Sequence, residues 1–171
     1  MNKDGHVLNA VLLSIGLGYI LQPAGDLTTF RTIAEVIIPI TLGALFPDVD
    51  SAFGKHRKTF HNFIVLGVFM AFPYFFGNLK FVWIGVATHF VLDLAGTKRG
   101  LALFYPWEKE FDLPIGVAVS SSYSNLVMLV ITAVELALIA VALLYAPQYI
   151  PAGILEQGTA AIGNGTAALG T

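Results

Sequence analysis

The chain has 171 residues, of which 56% are apolar and only 12% charged, whereas ordinary soluble domains are about a quarter charged. A soluble domain could not hide so much apolar surface and stay wettable, so lipid is the expected solvent, with residues 1–150 forming one membrane-embedded domain. The absence of cysteine excludes disulfides, thiolate metal sites and cysteine nucleophiles, and a net charge of -2 gives no ground for a nucleic-acid partner.

The first apolar run, Val7 to Leu21, is closed by Gln22-Pro23-Ala24-Gly25. No small-x-small cleavage site follows it, so it is expected to be a retained helix and not a signal peptide. The second, Ile33 to Phe46, follows the polar stretch Asp26 to Arg31 and ends at Pro47, which cannot continue a helix. Pro47 leaves Asp48-Val49-Asp50 extended, with both carboxylates on one side as in a strand. The third runs from Phe63 to Phe76 and turns at Gly77-Asn78. The fourth, Leu79 to Leu94, carries His89 and Asp93 in its last turns, and a fifth spans Ser124 to Leu144. The first four runs, about 14 to 16 residues each, reach only about 20 to 25 Å at 1.5 Å per residue, short of the ~30 Å hydrocarbon layer, whereas the fifth can span unaided. Residues 151–171, rich in Gly, Ala and Thr, are expected to form a flexible tail. The expected fold is therefore all-α, a polytopic membrane bundle of about four to five transmembrane helices.

Antiparallel threading of these runs has one consequence for the polar residues. His6 precedes the first helix, Asp48 and Asp50 follow the second, His56 and His61 precede the third, and His89 and Asp93 end the fourth. All of them fall on the same membrane face. Lys3, Lys55, Arg57, Lys58, Lys98, Arg99 and Lys109 sort to that face as well, and only Arg31 and Lys80 to the other, so the positive-inside rule makes the shared face cytoplasmic. His89 and Asp93, four residues apart, lie on one helical stripe, near enough to share an ion or to hydrogen-bond each other.

Six residues, His6, Asp48, Asp50, His61, His89 and Asp93, thus form a nitrogen and oxygen donor set large enough for two divalent ions. Zinc suits it first, with manganese or iron next, while calcium and magnesium favour oxygen shells. Such ions activate water against a phosphoryl group, and Asp48, Asp50, His89 and Asp93 are the expected catalytic residues. His56, Arg57, Lys58, Lys98 and Arg99 are expected to hold substrate phosphate. No Gly-rich phosphate loop and no Gly-x-Ser-x-Gly elbow is present, so neither NTPase nor serine-hydrolase chemistry is favoured.

Three segments carry a resemblance to a known family: Gly43-Ala44-Leu45-Phe46-Pro47-Asp48-Val49-Asp50-Ser51, His56-Arg57-Lys58-Thr59-Phe60-His61-Asn62 and His89-Phe90-Val91-Leu92-Asp93-Leu94. With a histidine near the N-terminus and a Gly…Pro stretch from Gly100 to Pro106, they resemble the YdjM-like family, described as LexA-binding, inner-membrane-associated, metal-dependent hydrolases. The likeness covers roughly residues 6 to 107. It implies the same six ligands, a location in the cell's inner membrane, and a distant kinship with the helical zinc phospholipase C and P1-type nuclease group. Through that kinship it implies a phosphoester substrate. Where the family often has Thr-His-Ser, this chain has Phe60-His61-Asn62, which removes a hydroxyl beside the histidine.

Blander readings stand beside the sharp ones. His89 and Asp93 also suit a hydrogen-bonded pair that locks the fourth helix, and Phe104, Tyr105 and Trp107 an interfacial aromatic belt. Glu135, midway along the fifth helix, must be protonated, paired with another helix or beside water, and a packing role is expected. The sequence supports a membrane hydrolase that turns a metal-activated water on a phosphoester, with a phospholipid head group as the expected substrate. The competing reading is a non-enzymatic metal-binding membrane protein, either a transporter component or a regulatory anchor.

Overall fold

The computed structural model describes residues 2–76, 79–118 and 120–145. The tail expected over 151–171 lies outside them. Among the described residues the chain is all-helical: α1 (Lys3–Leu21), α2 (Leu27–Leu45), a short α3 (Asp50–Phe53), α4 (Phe63–Phe75), α5 (Val82–Ala95) and α6 (Ser124–Tyr145).

Side-chain caps set several starts. Asn2 accepts from the Gly5 amide at 2.9 Å, Asp26 from the Thr28 amide at 2.9 Å, and Asn62 from the Val65 amide at 3.1 Å. Each such cap contributes about 1 kcal/mol by satisfying a helix amide that has no partner within the helix. The Asp26 cap explains why α2 begins at Leu27 and not at Ile33: its polar first turn is helix, not linker.

Pro47 does end α2, but the residues after it are not extended. Pro47–Val49 form a 3₁₀ turn that passes directly into α3. The strand-like alternation expected for Asp48 and Asp50 is thereby overturned. Residues two apart on a helical path point roughly 200° away from each other, so the two carboxylates face different neighbours.

Three helical stretches, Lys3–Leu21, Leu27–Ala52 and Ser124–Leu143, are long and apolar enough to cross a membrane. By contrast α4 and α5 hold 13 and 14 residues, about 20 Å of helix. They pack as shorter apolar helices beside the long ones. One core layer joins Ala10, Leu13 and Leu17 of α1 to Val36, Ile40 and Ala44 of α2. A second joins Phe69 of α4 to Val82, Val86 and Phe90 of α5, with Leu101 and Leu103 from the segment beyond. Where α2 crosses α5 the backbones nearly touch: a Cβ on Gly43 would strike the Val82 carbonyl oxygen, and one on Gly85 the Ile40 carbonyl oxygen. Only glycine permits that approach, and it brings the last turns of α2 against the first turn of α5. On the outside, α6 exposes Leu126, Leu129, Val130, Val134, Leu138 and Val141, as a lipid-facing helix does.

Glu135 is paired with other helices. Thr88 of α5 and Asn9 of α1 lie 2.7 Å and 3.2 Å from its carboxyl oxygens, and Asn9 also donates to Thr132 at 2.8 Å. This small polar knot ties α6 to α1 and α5, the setting in which a polar group is tolerated within a bilayer.

Candidate metal centre

The packing brings one end of α1, the residues just after α2, the loop before α4 and the last turns of α5 to one place. His6, Asp50, His61, His89 and Asp93 are all buried there, and the Asp48 side chain is 14% exposed. His61 and His89 point at each other, with Nε2 to Nε2 3.0 Å apart. Asp48 Oδ1 lies 4.0 Å from His61 Nε2 and 3.8 Å from His89 Nε2. Asp93 Oδ2 lies 3.8 Å from each of them.

The other ring nitrogens fix the tautomers. His89 Nδ1 sits 2.6 Å from the Ala44 carbonyl oxygen, which can only accept, so that nitrogen carries the proton. His61 Nδ1 donates in the same way to Asp50 Oδ2 at 2.8 Å. In neutral imidazoles both Nε2 atoms then present bare lone pairs across 3.0 Å. Such a contact repels unless a cation lies between the two. A proton is the poorer candidate, because burial holds the His61 pKa below the ordinary histidine value, against the pull of Asp50. Two nitrogens bound to one tetrahedral zinc at about 2.0–2.1 Å lie about 3.3 to 3.4 Å apart, a few tenths of an ångström more than the 3.0 Å gap.

Charge leads to the same place. With the imidazoles neutral, the carboxylates of Asp48, Asp50 and Asp93 gather in a largely dry site, where the Arg57 guanidinium meets Asp93 Oδ2 at 2.9 Å. Such a concentration of negative charge favours a cation. The donors fall into two groups of three, His6 with His89 and Asp93, and Asp48 with His56 and His61, each with ligand atoms within 4.8 Å of one another. Either could hold a metal ion.

The remaining expected site residues take distinct positions. His6 stacks on the His89 ring at 3.8 Å and directs Nε2 toward Asp93 Oδ1 at 3.3 Å. Asp50 stands behind the histidines: Oδ1 meets His56 Nδ1 at 2.8 Å, and Oδ2 takes His61 Nδ1 and the Phe60 amide. Arg57 adopts a left-handed backbone (φ 66°), which turns its side chain inward to Asp93 and to the Arg99 carbonyl oxygen at 2.8 Å. Lys58 pairs with Glu110 at 3.0 Å, and Lys98 and Arg99 are exposed.

Sequence reasoning missed several parts of this arrangement. The Ala44 carbonyl is a backbone group with no sequence signal. The segment after α5 folds over the site: Leu101, Ala102 and Leu103 are buried, and the Leu103 carbonyl accepts from the Phe63 amide at 2.9 Å. Phe104, expected in an interfacial belt, is exposed, and its ring also packs edge-on against Phe63 at 5.2 Å. The Gly…Pro stretch pointed to this segment without showing what it covers.

The sequence model of one family, described as YdjM inner membrane protein, matches residues 1–156 of this chain. No curated protein and no solved structure matches it.

Proposed function

The chain belongs to the YdjM inner membrane protein family, and from that premise and the geometry of its buried histidines we propose that it is a membrane-bound, metal-dependent hydrolase of phosphoesters. The observation that carries the reading is the pair of bare imidazole nitrogens 3.0 Å apart, with carboxylate oxygens of Asp48 and Asp93 beside both. His61, His89, Asp48 and Asp93 would hold a divalent ion, zinc by the donor chemistry. When bound, that ion supplies Lewis acidity, which acidifies water and draws charge from a phosphoryl oxygen.

The protein's own residues do the rest. Asp50 holds His61 in the tautomer that leaves Nε2 free, and the Ala44 carbonyl does the same for His89. His6 backs the His89 ring and fixes Asp93 from the far side. Asp48, the most solvent-accessible of the three carboxylates, would take the proton that an attacking water gives up. Arg57, already aimed at Asp93, would grip a phosphoryl oxygen, and Lys98 and Arg99 draw an anionic head group to the mouth of the site. The cation-rich face lies toward the cytoplasm in this reading, and a phospholipid head group is the substrate within reach.

The test is elemental analysis of the purified protein, followed by phosphate or alcohol release from panels of lipid and soluble phosphoesters. The expected result is a bound divalent metal and turnover that chelation abolishes and His89→Ala removes without loss of membrane insertion. Metal with no turnover on either panel would overturn the hydrolase reading and leave a metal-binding protein of another kind.

A further inference from the structure

A second feature lies beside the polar knot of Thr88, Asn9 and Glu135. Helices α1, α5 and α6 enclose a cleft of about 350 Å³, open along part of its length, whose walls run over residues 13–21, 81–91 and 135–143. At 1.5 Å per residue those spans make it about 12 to 15 Å long. Its lining is apolar, with Leu13, Leu17, Ala87, Leu138 and Ala142 among it. The polar atoms of Thr88 and Glu135, which also border it, are turned onto each other and onto Asn9.

The lining and the medium select the occupant. A volume of about 350 Å³ lies in the range of small-ligand pockets, and an apolar cleft of this length matches a methylene chain. Two of the three enclosing helices, α1 and α6, are long and apolar enough to cross a membrane, so acyl chains are the surrounding medium. One end adjoins the proposed catalytic site, since Thr88 on its wall precedes His89 in the chain. Above that end stand the cations, with Arg57 bonded to the Arg99 backbone and Lys98 and Arg99 exposed. An anionic head and one unbranched apolar tail is the ligand that matches both ends.

We propose that this cleft seats one acyl chain of an anionic glycerophospholipid whose phosphate lies at the histidine cluster, so that the substrate is held by its tail as well as its head. The proposal rests on the hydrolase reading for what happens to that head. Seating a tail from a bilayer gains little hydrophobic energy, because lipid is as apolar as the cleft. Its effect is to orient the phosphoester.

The experiment uses full-length protein in phosphatidylcholine nanodiscs doped with a phosphatidic acid that carries a diazirine at the end of one acyl chain. Mass spectrometry should place cross-links on residues 81–91 and 135–143. Ala142→Phe and Ala87→Phe should each remove them while metal content and hydrolysis of a short-chain, water-soluble phosphoester persist. Leu42→Phe, in a separate groove between α2 and α4, should leave them in place. Cross-links confined to that other groove, to a second copy or to residues 146–171 would overturn the proposal. So would an undiminished cleft signal in both phenylalanine variants. Metal binding and soluble turnover without cleft cross-links sinks the tail site and leaves the hydrolase reading standing. Cleft cross-links in a protein that hydrolyses nothing support the lipid site and sink the hydrolase reading.

Discussion

Asp50 offers the sharpest test of how the site is built. Its side chain is fully buried, and its oxygens are already engaged by His56, by His61 and by the Phe60 amide. A carboxylate that orients a metal-binding histidine typically contributes 10- to 100-fold in affinity when it is removed, about 1.4 to 2.8 kcal/mol. A direct ligand contributes more. Asp50→Ala should therefore weaken metal binding by roughly 10- to 100-fold, and Asp48→Ala should weaken it further. Asp50→Ala also leaves the buried His61 Nδ1–H without its acceptor, a cost of about 1 to 3 kcal/mol in fold stability. Asp50→Asn, whose amide oxygen can still accept from His61 Nδ1, should recover most of that stability and part of the affinity. Competition against a chromophoric chelator in detergent measures the affinity, and thermal unfolding followed by circular dichroism the stability. If Asp50→Ala matches Asp48→Ala in metal loss while Asp50→Asn rescues nothing, Asp50 is itself a ligand and the positioning argument is wrong. Unchanged affinity in Asp50→Ala would refute it from the other side.

The remaining predictions concern the frame that holds the site. Gly43→Ala and Gly85→Ala push a methyl group into carbonyl oxygens of the facing helix and should each cost at least about 1 to 3 kcal/mol in unfolding, whereas Gly67→Ala, with open space around it, should be neutral or stabilising by up to about 1 kcal/mol. Glu135→Ala should destabilise by roughly 0.6 to 1.7 kcal/mol and Glu135→Gln much less, read as resistance to denaturation in detergent. Chelation should lower the thermal midpoint and added zinc restore it, with about 2.7 kcal/mol of stabilisation at 100 times the dissociation constant. A midpoint indifferent to metal would argue against a preformed site. Because the chain has no cysteine, single cysteines report topology cleanly. Ser51→Cys and Lys98→Cys should react with impermeant maleimide from the cytoplasmic side, and Thr28→Cys only from the opposite side.

Much of the helical plan was legible because its punctuation is chemical. Pro47 stops α2, Asn62 caps α4 and Gly96 follows α5, and each acts through a backbone rule that holds without tertiary context. The start of α2 was not legible, since Leu27-Thr28-Thr29 reads as linker until Asp26 is seen accepting their amides. The polar knot was half legible. Glu135 stands out in an apolar run, but Asn9 and Thr88 are ordinary residues that matter only because the fold brings them to it.

The division of work between Asp48 and Asp50 depends on one local conformation. As a strand, the Asp-Val-Asp segment would offer both carboxylates to the same ion. As the 3₁₀ turn and helix that it forms, it sends one toward the paired imidazole nitrogens and the other behind His61. The sequence composition is the same in both cases, and so is the count of donors on the face. What differs is whether the second carboxylate competes for the ion or holds a ligand to it, and a buried carboxylate with three partners already in place is suited to holding. Pro47 is the residue that decides this, since it ends α2 while its fixed φ remains compatible with the helical turn that follows. In the metal site proposed above, an inner ligand and an outer support two residues apart would therefore follow from where one proline interrupts one helix.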